Sequence, residues 1–157
     1  MSGRLEGKVA IITGDIETTA GHQRLDGYNQ VYRELGRVPA KTLIKQGDYS
    51  YESGHVQMQH LLAENPDVDG VFACNDLMAL GAIAAIEEAG KTVPDDIAVI
   101  GFDDSIPART SRPQLSTVRQ DINALGEAAA QLMIAQLNGE PVESRIMPIE
   151  LVLRESA

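Results

Sequence analysis

Apolar positions along this chain alternate between two periods. Val9-Ala10-Ile11-Ile12 is an unbroken apolar run, fit for a strand buried on both faces, and Gly14 ends it. After a polar loop over 15–21, residues Leu25, Tyr28, Val31, Tyr32 and Leu35 recur at helical spacing. They predict a helix from Gly21 to Leu35, stopped by Gly36. Lys41 to Lys45 reads as a short strand around Leu43-Ile44, and a loop over Gln46 to Ser50 leads into a helix from Tyr51 to Glu64. The stretch Asp69 to Gly81 then changes period abruptly. Val71 to Cys74 is strand-like, Asn75-Asp76 can cap a helix, and Met78, Ala79, Ala82, Ile83, Ala85 and Ile86 follow at helical spacing up to Gly90. Val93 to Asp96 is a turn, and Ile97 to Gly101 is a fourth strand.

Strands that alternate with helices run parallel, so the expected fold class is α/β with a doubly wound parallel sheet. The rhythm changes after Gly101. Residues 102–114 hold two prolines and no helical period and are expected to form a long loop. Ser116 to Val118 is a fifth strand, Ile122 to Asn138 a last strong helix, and Ile146 to Leu153 a carboxyl-terminal edge strand. With no repeat and no linker, residues 1–157 are expected to form a single α/β domain.

Composition narrows the function classes. Apolar residues make up 43% of the 157, which is enough for a core. The formal net charge of −10, with no Lys/Arg cluster, argues against a nucleic-acid surface. No apolar segment approaches the roughly 20 residues of a membrane span, and the amino terminus lacks the apolar region of a signal peptide. The one cysteine, Cys74, lies inside an apolar run and reads as a small buried hydrophobe suited to a reducing compartment; a cytoplasmic location is expected. His22, His55 and His60 form no metal-ligand spacing, and the chain has no P-loop and no nucleophile–base set. Neither an enzyme, nor a cofactor, nor a metal is expected.

Several segments in order carry a resemblance: Gln23 to Tyr28, Gly47-Asp48-Tyr49, Ser53-Gly54, Ala73 to Gly81, Val99 to Asp104, Arg112 to Val118 and Gln120-Asp121. Together they resemble the carboxyl-terminal lobe of the effector-binding core of LacI/GalR transcription regulators, a core related to periplasmic sugar-binding proteins. With the last helix folded back on the sheet, the five strand–helix units are expected in flavodoxin-like order 2-1-3-4-5. The resemblance implies half of a sugar-type effector site. In it Arg24 would pair with ligand hydroxyls or a carboxylate, Tyr49 would stack on the ligand ring, and Asn75 and Asp103 would hydrogen-bond hydroxyls. Read without the family, these four lie on one rim, at the carboxyl ends of strands one to four, where open α/β sheets bind ligands. For Asn75 and Asp76, helix capping and ligand contact stand as alternatives; for Asp103-Asp104, turn chemistry is the other reading.

Arg4 to Gly14 instead resembles the first strand of a short-chain dehydrogenase, which suggests an engineered or recombined chain. The chemistry of that family does not follow. The glycine fingerprint is absent, Asp15 and Glu17 would repel a pyrophosphate, and no Tyr-x-x-x-Lys pair exists. Family members carry a DNA-binding segment and a first lobe, neither of which this sequence contains, and their last long helix packs on that first lobe. Here the helix from 122 to 138 is therefore expected to fold back on its own sheet, with its exchange between two chains as the alternative. A second route to a homodimer runs through helix 76–89 and loop 102–114, where exposed Ile83, Ile86 or Ile106 would form a sticky surface. The functional readings are a half-site binding module, a scaffold or oligomerisation module without ligand, and, remotely, a nicotinamide-dependent dehydrogenase fragment.

Overall fold

A computed structural model describes residues 7–157. Six strands form one sheet: β1 (Lys8–Thr13), β2 (Ile44–Gln46), β3 (Val68–Ala73), β4 (Ala98–Asp103), β5 (Ser116–Gln120) and β6 (Ile149–Val152). Their spatial order is β2-β1-β3-β4-β5-β6; the first five are parallel and β6 runs antiparallel against β5. This is the expected flavodoxin-like order with the added edge strand.

Five helices connect the strands: α1 (Thr19–Glu34), α2 (Tyr51–Glu64), α3 (Asp76–Glu88), α4 (Ile106–Thr110) and α5 (Ile122–Leu137). Each of the four long helices opens on a side-chain cap. Thr18, Ser50, Asn75 and Asp121 accept from the backbone amides of Gly21, Ser53, Met78 and Ala124 respectively. Several element ends shift from the sequence expectation, and three differences stand out. Lys41–Leu43 forms a 3-10 turn, so β2 starts only at Ile44. Ile106–Thr110, expected as loop, is the short α4; Pro107 near its start presets the helical φ and needs no amide partner. The last strand covers only 149–152 of the expected 146–153.

The strand register sorts side chains onto two faces. Ala10 and Val71, Ile12 and Ala73, Val71 and Val99, and Gly101 and Thr117 are paired, and all are buried. They lie under α2 and α3. Those two helices are drawn together at Gly54 and Gly81. A Cβ on Gly54 would sit 2.2 Å from the Met78 carbonyl oxygen, and one on Gly81 would sit 2.1 Å from that of Tyr51. Met58, Leu61, Met78, Ile83 and Ile86 fill this layer. Ile83 and Ile86, expected as part of a sticky surface, are thus core residues; Ile106 is exposed as expected.

The opposite face carries Val9 and Gly70, Ile11 and Phe72, then Ile100, Phe102, Val118 and Leu151. Here α1 covers the β1 side. Tyr28 and Tyr32, rings 5.0 Å apart, both donate to the Val9 carbonyl, at 2.7 and 2.8 Å. Among the described residues nothing covers the β4–β6 side. Val9, Phe72, Ile100 and Val118 line an apolar trough of about 320 Å³ together with the exposed Leu151.

The expected fold-back of α5 does not occur. Only Ala128 of this helix is buried, while Ile134 is 60% and Leu137 79% exposed. The helix follows β5 after a single residue, Asp121, too little chain to reverse onto the sheet. No helix among the described residues is long and apolar enough to cross a membrane.

Candidate functional site

The four expected residues gather at the carboxyl edge of the sheet, but only Tyr49, Asn75 and Asp103 do so at or just after strand ends; Arg24, expected there too, is carried on α1. Arg24, in the second turn of α1, reaches across the end of the sheet. Its guanidinium donates to the Cys74 carbonyl at 2.7 Å and lies 3.8 Å from the centroid of the Phe102 ring. Cation–π stacking and a backbone acceptor therefore fix its plane, with further donors of the fork not used by these two contacts. Phe102 was not expected at the site. Its signal was an aromatic one residue before the Asp pair at a strand end.

Asp103, at the end of β4, accepts from Gln120 Nε2 at 2.8 Å. Burial raises its pKa above the ordinary carboxylate range, against the Gln120 hydrogen bond; nearby Asp76 adds to the rise and Arg24 opposes it. Arg24 and Asp103 thus present opposite charges to the same space, and Phe102 separates them in sequence and supports the first.

Tyr49 lies in the loop before α2 with φ of 70°, a conformation rare for a non-glycine residue. Its ring rests directly on Gly14, where a Cβ would come 1.8 Å from Tyr49 Cζ. Asn75 ties this loop down: its Nδ2 donates to the Tyr49 carbonyl at 2.8 Å while its Oδ1 accepts from Met78 N at 2.9 Å. Asn75 is the cap of α3 here, and one amide hydrogen is left to face the rim. Asp76 does separate work. Fully buried, it accepts from Thr117 Oγ1 at 2.6 Å and from Ser105 N at 2.7 Å, binding the start of α3 to β5 and to the loop before α4.

Behind Asp103 stands a cluster that the sequence did not suggest. The Asp104 side chain has no exposed surface and receives Arg154 Nη2 at 2.5 Å, Arg119 Nε at 2.7 Å and Arg109 Nη2 at 2.9 Å. Burial opposes its charge, yet the three guanidinium hydrogen bonds outweigh burial and hold the carboxyl below the usual range. Both Asp103 (φ 115°) and Asp104 (φ 59°) sit at positive φ, and the arginine clamp offsets that backbone cost. The cysteine is inert: burial pushes the Cys74 thiol up to about 11, and it is fully enclosed. Among the described residues no group of three or more His, Cys, Asp and Glu is placed to hold a metal.

A sheet of this order, with its polar groups gathered at the carboxyl edge, has clear relatives. The periplasmic binding protein-like domain matches residues 7–157. The chain belongs to that family. It is 38% identical over 146 residues to the transcriptional regulator CelR of Thermobifida fusca, an alignment covering 93% of this chain and 42% of CelR. It is 37% identical over 150 residues to the HTH-type transcriptional repressor PurR of Histophilus somni strain 129Pt, covering 94% and 45%. Among solved structures, a CelR–cellobiose complex superposes with a TM-score of 0.90 at 37% identity, covering 96% of this chain and 46% of that one. A lac repressor bound to ONPG in the repressed state gives 0.90 at 30% identity, over 98% and 47%. The chain thus spans less than half the length of the curated relatives it matches, all of them LacI-type transcription regulators. The family match begins at residue 7, so β1 lies within it. The strand that resembles a dehydrogenase is therefore a family strand from Gly7 onward; residues 1–6 lie outside the described residues.

Proposed function

We propose that this chain is a single ligand-binding domain carrying half of a small-molecule effector site for a sugar-type ligand. Its candidate contacts are Arg24, Tyr49, Asn75 and Asp103. The observation that carries this reading is the fixing of Arg24 between the Cys74 carbonyl and the Phe102 ring, beside the partly buried Asp103. A surface arginine without a task keeps its rotamer freedom. This one gives it up to present a planar fork next to a carboxylate, an arrangement that suits vicinal hydroxyls. The aromatic ring of Tyr49 supplies a flat wall at the far side.

The rim is open to water, and small ligands need most of their surface enclosed. Affinity for free sugars is therefore on the order of millimolar or weaker, with no catalysis and no DNA binding, in a cytoplasmic setting. Titration calorimetry with pentoses, hexoses, cellobiose and purine bases tests it. Weak saturable heat that disappears in Arg24→Ala supports the reading, and no heat with any of them at high concentration counts against it. Micromolar binding would refute the half-site.

One observation favours a second reading, a scaffold without ligand. The Asn75 amide is mostly spent on Tyr49 and Met78. In that version Asn75→Asp, which keeps the cap, lowers stability only through the Tyr49 loop, and no effector shifts the thermal midpoint.

A further inference from the structure

The residues after β6 are held more firmly than a chain end requires. Termini fray unless something ties them down. Here Ser156 is fully buried. Its Oγ donates to the Val99 carbonyl at 2.6 Å and accepts from Ser116 N at 2.8 Å. Its backbone adds two bonds. Val99 N donates to the Ser156 carbonyl at 2.8 Å, and Ser156 N donates to the Gln114 carbonyl at 3.1 Å. The β4–β5 ladder begins only at Ile100 and Ser116, so Ser156 stitches the two strands together just ahead of it.

Arg154 extends this anchorage to the rim. Its backbone N–H donates to Ser116 Oγ at 2.8 Å, at the start of β5. Its guanidinium then forks. Nη1 donates to the Leu115 carbonyl at 2.7 Å, and Nη2 to Asp104 Oδ1 at 2.5 Å. Arg109 and Arg119 both bind the other oxygen of that carboxylate, Oδ2, so Arg154 is the one of the three that holds Oδ1.

The consequence falls on Asp103. Asp103 and Asp104 are consecutive and both sit at positive φ, a costly conformation that persists only where its surroundings impose it. The restraint on the pair is unequal. The Asp103 carboxyl accepts from Gln120 Nε2, whereas Asp104 is gripped by three guanidiniums and its amide donates to Thr117 Oγ1 at 3.4 Å. Asp103 therefore takes its conformation largely from its neighbour, and the neighbour takes its own from the arginines.

Resting on the half-site reading for the role of Asp103, we infer that Arg154 is a positioning residue of that site: from a tail anchored at Ser156 it grips Asp104 and so sets the backbone turn that aims the Asp103 carboxyl at the rim. Arg154 touches no ligand in this arrangement and acts through Asp104.

The test follows the pH titration of the Asp103 carboxyl carbon by NMR in the full chain, its signal assigned by its loss in Asp103→Asn. Two effects of removing Arg154 have opposite signs. Loss of a nearby positive charge favours the protonated acid and raises the titration point. Loss of the turn lets the carboxyl swing into water, which removes the burial that holds its pKa up, and the point falls toward its ordinary value. Asp76 of α3 and Arg24 of α1, the charged groups that also act on Asp103, are the same in every variant. Arg154→Met is expected to lower the titration point. Arg154→Lys keeps the charge without the two-pronged fork, and is expected to lower it by less. A raised or unmoved point in Arg154→Met overturns the inference, and so does an unmoved point in Arg154→Lys should the Met variant not fold. A thermal midpoint that drops while Asp103 titrates as in the native chain marks a purely structural arginine and overturns it too. Calorimetry with cellobiose keeps the half-site reading apart. Native heat that is lost in Arg154→Met supports both, whereas a native chain without heat defeats the half-site alone and leaves the titration to decide the role of Arg154.

Discussion

Asp104 shows how a single buried carboxylate can hold a site together. Three arginines converge on it, and one of them, Arg154, comes from the segment after β6. Replacing it by Asn keeps the shape and removes the charge that three guanidiniums were satisfying. The expected loss is about 2–3 kcal/mol in chemical denaturation, the range for hydrogen bonds to charged groups. Because the pKa of Asp104 is lower in the folded state than in the unfolded one, its stabilisation is complete above about pH 4. It is lost as pH falls through the folded value. The stability of the native chain should therefore fall as pH drops below about 4, and Asp104→Asn should flatten this limb. Asp103 is the reverse case. Its raised pKa means that ionisation costs stability, chiefly through burial. Asp103→Asn keeps the Gln120 contact and tolerates positive φ, so its thermal midpoint should equal or exceed the native one while sugar heat in calorimetry falls. A drop in midpoint of several degrees would contradict this account.

At the scale of elements, the contact between α2 and α3 is the stiffest part of the fold. Gly54 and Gly81 face the backbone of the opposing helix rather than a side chain that can swing away. Gly54→Ala and Gly81→Ala should each destabilise by about 1–3 kcal/mol in urea titration, as overpacking against backbone does, despite the better helix propensity of Ala. Gly14 is the contrasting position. Its neighbour is the movable ring of Tyr49, so Gly14→Ala should displace the ring and weaken ligand stacking with little change in stability. The elements themselves were largely legible in the sequence. Unbroken apolar runs marked β1, β3 and β4, and Asn75 marked the start of α3, because capping and periodicity are local. What failed was also local in origin. Residues 102–114 have too few apolar repeats to announce a five-residue helix, and Lys41 to Leu43 tightened into a 3-10 turn that no pattern signals.

At the scale of the whole molecule, the chain is an α/β sheet with one finished face and one half-finished face. The trough over β4–β6 and the outer face of α5 are both exposed, so the folded chain should bind a hydrophobic dye such as ANS with a rise in its fluorescence. A folded chain that leaves the dye dark would contradict this account.

The sequence alone carried the alternation of strands and helices, the four long helices and the expectation that Arg24, Tyr49, Asn75 and Asp103 share one rim. Period, caps and parallel connectivity leave few other arrangements, and strand ends converge whatever the packing. It could not show that Phe102 would carry the Arg24 guanidinium, that Asp104 would gather Arg109, Arg119 and Arg154, or that α5 would leave its own sheet. The first two depend on side chains far apart in sequence arriving at one point. The last depends on a hinge of one residue, whose reach is a matter of three-dimensional geometry and leaves no trace in hydrophobic period.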